Sequence, residues 1–406
     1  MTPVQPAERI ELLDVLRGAA LFGILAANMR AFNGPMPAYF DHSLMWTGVV
    51  DRIAQSAIDL LIMSKFITLF SFMFGIGFAI QMDRSAARGS PSTFYLRRSA
   101  ILLLFGLLHG FLLWTGDILA PYAVMSFILY TFRNRSQSTI LRWSIIFYIW
   151  PLIPVLAGSI VSAAGMPIPG PPRATAADIA RIIHVYASGT YGQILTEHVE
   201  EMAFQLLGLA FFYQRVLGIF LLGLWVWRTG VLSNLPERIE LLERCQGWGL
   251  AIGLAGNGAM VAIEQIWHPD PLGFGPATLA ESVANTIGVP ALSLFYATSL
   301  ALIYLRSEAW RARLRPFAAV GRTALTNYLL QSVICTTLYN SWGFGWFGRV
   351  SPLAGIAPTV AIYSVQVAAS VWYMRRFAFG PVEWLWRILT YGRVRERSAA
   401  AASGSA

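Results

Sequence analysis

Apolar residues run along this chain in long blocks separated by short polar stretches, with neither the alternation of strands nor the one-sided periodicity of surface helices. Crossing the hydrocarbon core of a bilayer takes about 20 mostly apolar residues in a helix. Ten stretches qualify: 12–31, 53–82, 94–115, 117–132, 139–164, 203–228, 246–267, 282–305, 316–339 and 353–377. The pattern predicts an all-α fold, a polytopic transmembrane bundle of about ten spanning helices. The fourth stretch is short, which suits a tilted or re-entrant segment. Glu8 and Glu11 precede the first stretch, Asp14 lies at its start, and no small-residue cleavage site follows it, so it reads as a retained span.

The longest connection, 165–202, divides an N-terminal bundle (1–164) from a C-terminal one (203–390, spans six to ten plus an interfacial helix). It opens on a proline-rich run at 166–172 that cannot be helical. An interfacial helix is expected over 176–186, and Glu197, His198, Glu200 and Glu201 close the segment. A lid over an outward cavity and a solvated connector are both open readings. The tail 391–406 is rich in Ala, Ser and Gly and is expected to be disordered.

Composition agrees with the block pattern. Charged residues are 13% and hydrophobic ones 56% of the 406. Soluble domains carry roughly 25% charged residues, so a water-soluble fold is excluded. Cys245 and Cys335 stand alone, which indicates neither a disulfide framework nor a metal site. Lys and Arg outnumber Asp and Glu by 30 to 21, a net charge of +9. Their positions explain the excess. Arg84, Arg88, Arg97 and Arg98, then Arg133, Arg135 and Arg142, then Arg228, Arg238 and Arg244, then Arg306, Arg311, Arg313 and Arg315 fill every second loop. Arg9 lies at the start, and six arginines lie at the end of the last span or beyond it. The other loops hold Arg30, Arg52, Arg173, Arg181 and Arg349. By the positive-inside rule both termini are cytoplasmic. The charge therefore reads as topology, and no nucleic-acid partner is expected; the bilayer is the partner, with a homo-oligomer left open.

Four basic residues remain, all within spans: Arg17, Lys65, Arg215 and Arg322. Charges at membrane depth are costly and usually face a cavity or a partner. Asp14 precedes Arg17 by three residues, so the two share a helix face and can pair. Lys65, the chain's single lysine, is placed near mid-membrane. Towards the outer side lie Asn28, His109 and Asp117. The Thr115-Gly116 turn makes spans three and four a hairpin, which puts Asp117 in the outer layer and His109 one to two turns beneath it. A carboxylate beside an imidazole orients a general base. Asp117 is equally a good helix N-cap, and His109 in Gly106-Leu-Leu-His-Gly110 equally suits close helix packing. In the ninth span Asn327 and Gln331 share one face with Thr323, a polar stripe that lines a cavity or joins helices. His42, His184, His198 and His268 look peripheral. No phosphate loop, nucleophile elbow or metal motif is present in the sequence.

Several of these residues form recognisable motifs. Leu13-Asp14-Val15-Leu16-Arg17-Gly18 with Asn28, Lys65-Phe66-Ile67-Thr68-Leu69-Phe70 running to Gly75, and His109-Gly110 followed by Trp114-Thr115-Gly116-Asp117 resemble the YeiB-like bacterial membrane proteins. So do the stretch 321–331 and Gly380-Pro381-Val382-Glu383-Trp384. The family's domain is labelled as of unknown function, and its members have been called putative transporters. Its first spans are in turn similar to those of heparan-α-glucosaminide N-acetyltransferase and related multi-pass acyltransferases. That resemblance implies an acyl-CoA donor, acetyl-CoA in that enzyme, and an acceptor across a bacterial inner membrane. The acetyltransferase's histidine lies after the first helix; His42 stands at a different spacing here, so His109 is preferred.

The resulting expectation is a membrane acyltransferase. Asp14, Arg17, Lys65, Arg322, Asn327 and Gln331 would bind the substrate. His109, oriented by Asp117, would act as the base or carry the acyl group transiently, with Asn28 or Asn327 donating to the oxyanion. No metal is invoked. The alternative is a small-solute transporter using the same residues, although no repeat relates the two halves.

Overall fold

The computed structural model describes residues 10–87, 93–166, 173–211, 213–270 and 273–392, with Gly89 and Ile168 between them. Arg9, Arg88, most of the proline-rich run and the tail from Arg393 lie outside the described residues. The described residues form helices and no strand. In order these are α1 (Glu11–Asn33), α2 (Met36–Phe40), α3 (Val49–Leu61), α4 (Lys65–Ala87), α5 (Phe94–Leu112), α6 (Leu119–Thr131), α7 (Gln137–Ile149), α8 (Leu152–Ala163) and α9 (Ala176–Ser188). They continue as α10 (Tyr191–Phe211), α11 (Gln214–Arg228), α12 (Ile239–Trp267), α13 (Pro276–Arg306), α14 (Glu308–Arg322), α15 (Ala324–Tyr339), α16 (Ile356–Met374) and α17 (Pro381–Tyr391).

Six of these segments are long and apolar enough to cross a membrane: α1, α3 with α4, α5, α12, α13 and α16. The pair α7 and α8, bent by 41°, makes a seventh if it is one span. The chain is a helical membrane protein. The other three expected stretches differ from simple spans. Stretch 117–132 yields only the 13 residues of α6, 203–228 breaks between α10 and α11, and 316–339 breaks at Thr323 into α14 and α15. The last break has a local cause. The Glu383 carboxylate of α17 accepts from the Leu325 and Thr326 amides at 2.7 and 3.1 Å. It caps the new N-terminus that opens α15, satisfying donors that a continuous helix would bond internally. The segment 165–202 is not an open loop either, since α9 and the first half of α10 occupy most of it.

Leu104, Leu108 and Leu112 form one exposed apolar face of α5, opposite buried Leu102, Gly106 and His109. Such outward apolar faces fit contact with lipid chains, and the polar side chains lie inside the bundle. At its centre α1 crosses α14. A Cβ on Gly18 would lie 2.0 Å from the Phe317 carbonyl oxygen, and one on Gly321 would lie 1.9 Å from that of Asp14. Only residues without a side chain admit this backbone contact, and it brings Arg17 and Arg322 to one wall.

Candidate functional site

α1, α4, α5, α15 and α17 enclose a cavity of about 340 Å³. Arg17, Arg84, Arg98, Arg322 and Arg387 lie around one end. Leu21, Ile24, Phe70, Phe74 and Leu102 line the apolar remainder, and Ile118, Leu119 and Tyr328 are among its walls. The arginines are held in different ways. Arg17 donates to Asp14 at 2.9 Å. Arg98 stacks on Trp386 at 4.1 Å and donates to Gln81. Arg387 lies 3.8 Å from the Phe379 ring centre. The Nε of Arg322 is buried without a hydrogen-bond partner among the described residues. A buried Nε with an unspent donor, on a half-buried arginine among four more cations, favours an anionic group at this end.

Behind Ile118 and Tyr328 lies the imidazole of His109. Its Nδ1 is 2.8 Å from Asp117 Oδ1, and the two side chains are 1% and 0% exposed. The close approach of the hairpin makes this contact: a Cβ on Gly106 would lie 2.2 Å from the Ala120 amide nitrogen, so α5 meets the start of α6 backbone to backbone. Asp117 also accepts from that amide through Oδ2 at 2.7 Å. It is thus the helix cap and the imidazole's orienter at once. On the far side of the ring, Nε2 lies 2.8 Å from Ser332 Oγ. Sequence spacing did not single out Ser332. Its position one residue beyond Gln331, on the far side of the polar stripe, was the only signal.

The Tyr328 hydroxyl lies 3.3 Å from the Ile118 amide and 3.4 Å from the Gly116 carbonyl, and its ring is centred 5.3 Å from that of His109. This side chain and Ile118 therefore partition the cavity from the His109–Asp117 pair.

The remaining expected residues lie elsewhere. Asn28 is half-buried on α1 and neither lines the cavity nor bonds to the pair. Asn327 donates to Thr323 and Ser370 at 2.8 and 3.0 Å, and Gln331 donates to Gln366 at 2.9 Å. Gln366 in turn donates to the Asn327 carbonyl. Here the polar stripe joins α15 to α16 and does not line the cavity, because each amide already has a partner on the facing helices.

Lys65 is also outside the cavity. The stretch 53–82 breaks at 62–64, so Lys65 is the first residue of α4, fully buried, and donates to the Asp59 carbonyl. Around it lies a second polar cluster. Arg30 bonds Asp59 at 2.7 Å and meets His42 Nε2 at 2.9 Å. His42 Nδ1 lies 2.7 Å from Glu264 and 3.6 Å from Asp59. His42, expected to be peripheral, is therefore enclosed, as is His198, whose ring Nδ1 lies 2.9 Å from the Phe111 carbonyl. The atoms of His42, Asp59 and Glu264 lie within 4.8 Å of one another, a spacing compatible with a cation. The chemistry argues otherwise. Arg30 has no acceptor, so it holds Nε2 as the unprotonated nitrogen and leaves the proton on Nδ1, the atom that would have to ligate. Arg30 and Lys65 also supply two positive charges beside Asp59. The cluster is an ion-pair network.

The segment over the C-terminal end of α5 is tied down. Tyr191 donates to the Leu112 carbonyl at 2.7 Å, and Glu201 accepts from Thr115 and from Tyr186. Thr115 belongs to the turn that carries Asp117. Burial pushes the Glu201 carboxyl up to about 7. An unfolded glutamate titrates near 4.3 (roughly), so the folded state holds this proton more tightly. Its contribution is complete below the unfolded value and is lost as pH rises through about 7. The wild-type melting temperature is therefore expected to fall between about pH 5 and pH 8, and Glu201→Gln to flatten that slope. Thermal unfolding across this range checks it, and an unchanged slope in the variant refutes the assignment.

Together these features define a helical integral-membrane protein with an arginine-rimmed internal cavity beside a buried Asp–His pair. Residues 226–393 match the family model described as "Protein of unknown function (DUF418)". YxaH of Bacillus subtilis (strain 168) is 33% identical over 96% of this chain and 97% of its own length. YeiB of Escherichia coli (strain K12) is 30% identical over 94% and 96%. A 39.9 kDa protein from the amylase 3′ region of Bacillus acidopullulyticus is 28% identical over 97% of both chains. The chain belongs to the YeiB-like DUF418 family, as its motifs had suggested.

Proposed function

We propose that the protein is a membrane acyltransferase that moves an acyl group from a cytoplasmic acyl-CoA to a hydroxyl or amine at the outer side. The observation that carries the reading is the cavity, cationic at one end, apolar along its length, and bounded near His109 by Tyr328 and Ile118. Its volume suits an acyl-pantetheine arm, with the nucleotide phosphates remaining at the arginines. Arg17, Arg322 and their neighbours bind those phosphates, and the apolar walls hold the acyl chain. Asp117 orients His109, which takes the proton from the attacking group once Tyr328 swings aside. In this reading the shorter helices complete ten spans, with both termini cytoplasmic in a bacterial inner membrane.

The test is thioester cleavage by purified protein supplied with acetyl-CoA and longer acyl-CoAs, with and without sugar or amine acceptors. Arg322→Gln is expected to raise KM about tenfold or more with little change in kcat, as the loss of a charge-assisted bond to phosphate implies. Absence of cleavage across the series would sink the reading. The discontinuous helices α3–α4 and α14–α15 favour a second reading, a small-solute transporter. Solute flux into proteoliposomes without any acyl donor would establish it instead.

A further inference from the structure

We infer that Ser332 is a nucleophile that carries the acyl group as an ester between donor and acceptor; this rests on the acyl-transfer reading above. Ser332 is fully buried on α15. Asp117, His109 and Ser332 form one relay, with both hydrogen bonds at 2.8 Å. Its proton positions follow from donor and acceptor capacity. An ionised carboxylate only accepts, so His109 Nδ1 carries the hydrogen facing Asp117. Nε2 then presents its lone pair, and the Ser332 hydroxyl donates to it. A base-activated serine requires this state, and the roles and order match those of serine acyl-transfer relays on unrelated folds.

Seven other helical hydroxyls provide a contrast. Ser71, Thr286, Ser293, Thr298, Thr336, Thr359 and Thr390 each donate to the carbonyl four residues earlier. That back-bond is the ordinary way for serine and threonine to satisfy themselves in an apolar bundle. Ser144 and Ser159 donate across to backbone carbonyls, those of Gly218 and Gly275, whereas Ser332 directs its proton to an imidazole nitrogen on α5. Tyr328, one turn earlier on the same face of α15, already lines the cavity. Rotation of its ring out of the partition extends the cavity by one turn and exposes Ser332 Oγ to the acyl end.

The chemistry balances without another reactant. Ser332 Oγ attacks the thioester carbonyl carbon while its proton passes to His109 Nε2. The tetrahedral intermediate collapses, the C–S bond breaks, and the imidazolium returns the proton to the departing thiolate. An acceptor hydroxyl or amine then attacks the serine ester and gives its proton to His109. The ester C–O bond breaks and Ser332 Oγ is reprotonated.

The experiment uses full-length protein in nanodiscs, acyl-CoA without acceptor, a rapid acid quench and peptide mass mapping. The wild type is expected to gain one acyl group on the peptide holding Ser332. Ser332→Ala is expected to gain none and to lose turnover by on the order of 10³-fold. Ser332→Cys, nearly isosteric, should form a thioester that neutral hydroxylamine removes, which keeps the test valid if the alanine variant misfolds. Wild-type turnover retained in folded Ser332→Ala overturns this inference and leaves the acyltransferase reading standing. Loss of turnover with no acyl-peptide in the quenched wild type also overturns it. A wild type that cleaves no acyl-CoA overturns both.

Discussion

Asp117→Asn is expected to lower acyl-CoA turnover by about 10²–10⁴ while moving the melting temperature by only a few degrees. The substitution separates the two tasks of this side chain. One oxygen accepts from the Ala120 amide and caps α6, and asparagine retains an oxygen for that bond. The other accepts from His109 Nδ1, where asparagine presents an NH₂ donor. The imidazole must then accept at Nδ1 and carry its hydrogen on Nε2, so it no longer offers a base to the hydroxyl beyond. A turnover assay and thermal unfolding on the same preparation check both halves. Undiminished turnover would mean that the pair is a packing device and that the chemistry lies elsewhere. Equal collapse of turnover and stability would mean that the cap, not the tautomer, is what the carboxylate supplies.

The proximity of His109 and Asp117 was legible because it is local. Only residues 113–118 connect α5 to α6, and the hairpin they close brings residues 109 and 117 together. The Asp14–Arg17 pair was legible for the same reason, three residues apart on one helix. The apolar blocks likewise revealed the membrane class, because bilayer thickness dictates block length. What spacing could not reveal depends on contacts between distant segments. Ser332 reaches His109 across 223 positions. Glu383 ends one helix and starts another from 58 residues away. Without that cap, 316–339 reads as one unbroken span. The break places Arg322 at a helix end beside the cavity and leaves Asn327 and Gln331 facing α16. Lys65 shows the limit of depth counting: the break at 62–64 and the Asp59 carbonyl draw it into an ion-pair network that composition could not signal.

The crossing of α1 and α14 sets how far apart Arg17 and Arg322 stand, and Gly321→Ala is expected to damage fold and site together. The added Cβ would sit 1.9 Å from the Asp14 carbonyl oxygen and 3.0 Å from the Gly18 nitrogen. Both are backbone atoms, so no rotamer change relieves the overlap and the helices must separate. Overpacking of this kind costs about 1–3 kcal/mol or more. Separation also shifts the helix that carries Arg17 and Asp14, so affinity for an acyl-CoA should fall with stability. The control is Gly258→Ala on α12, where a Cβ meets nothing within 4 Å. There alanine's higher helix propensity, worth roughly 1 kcal/mol, should leave the melting temperature unchanged or raise it. Comparing the two variants by thermal unfolding and donor binding isolates the contact from the general effect of replacing glycine. Equal melting temperatures would mean that α1 and α14 do not meet backbone to backbone, and the arginine wall would lose its structural basis.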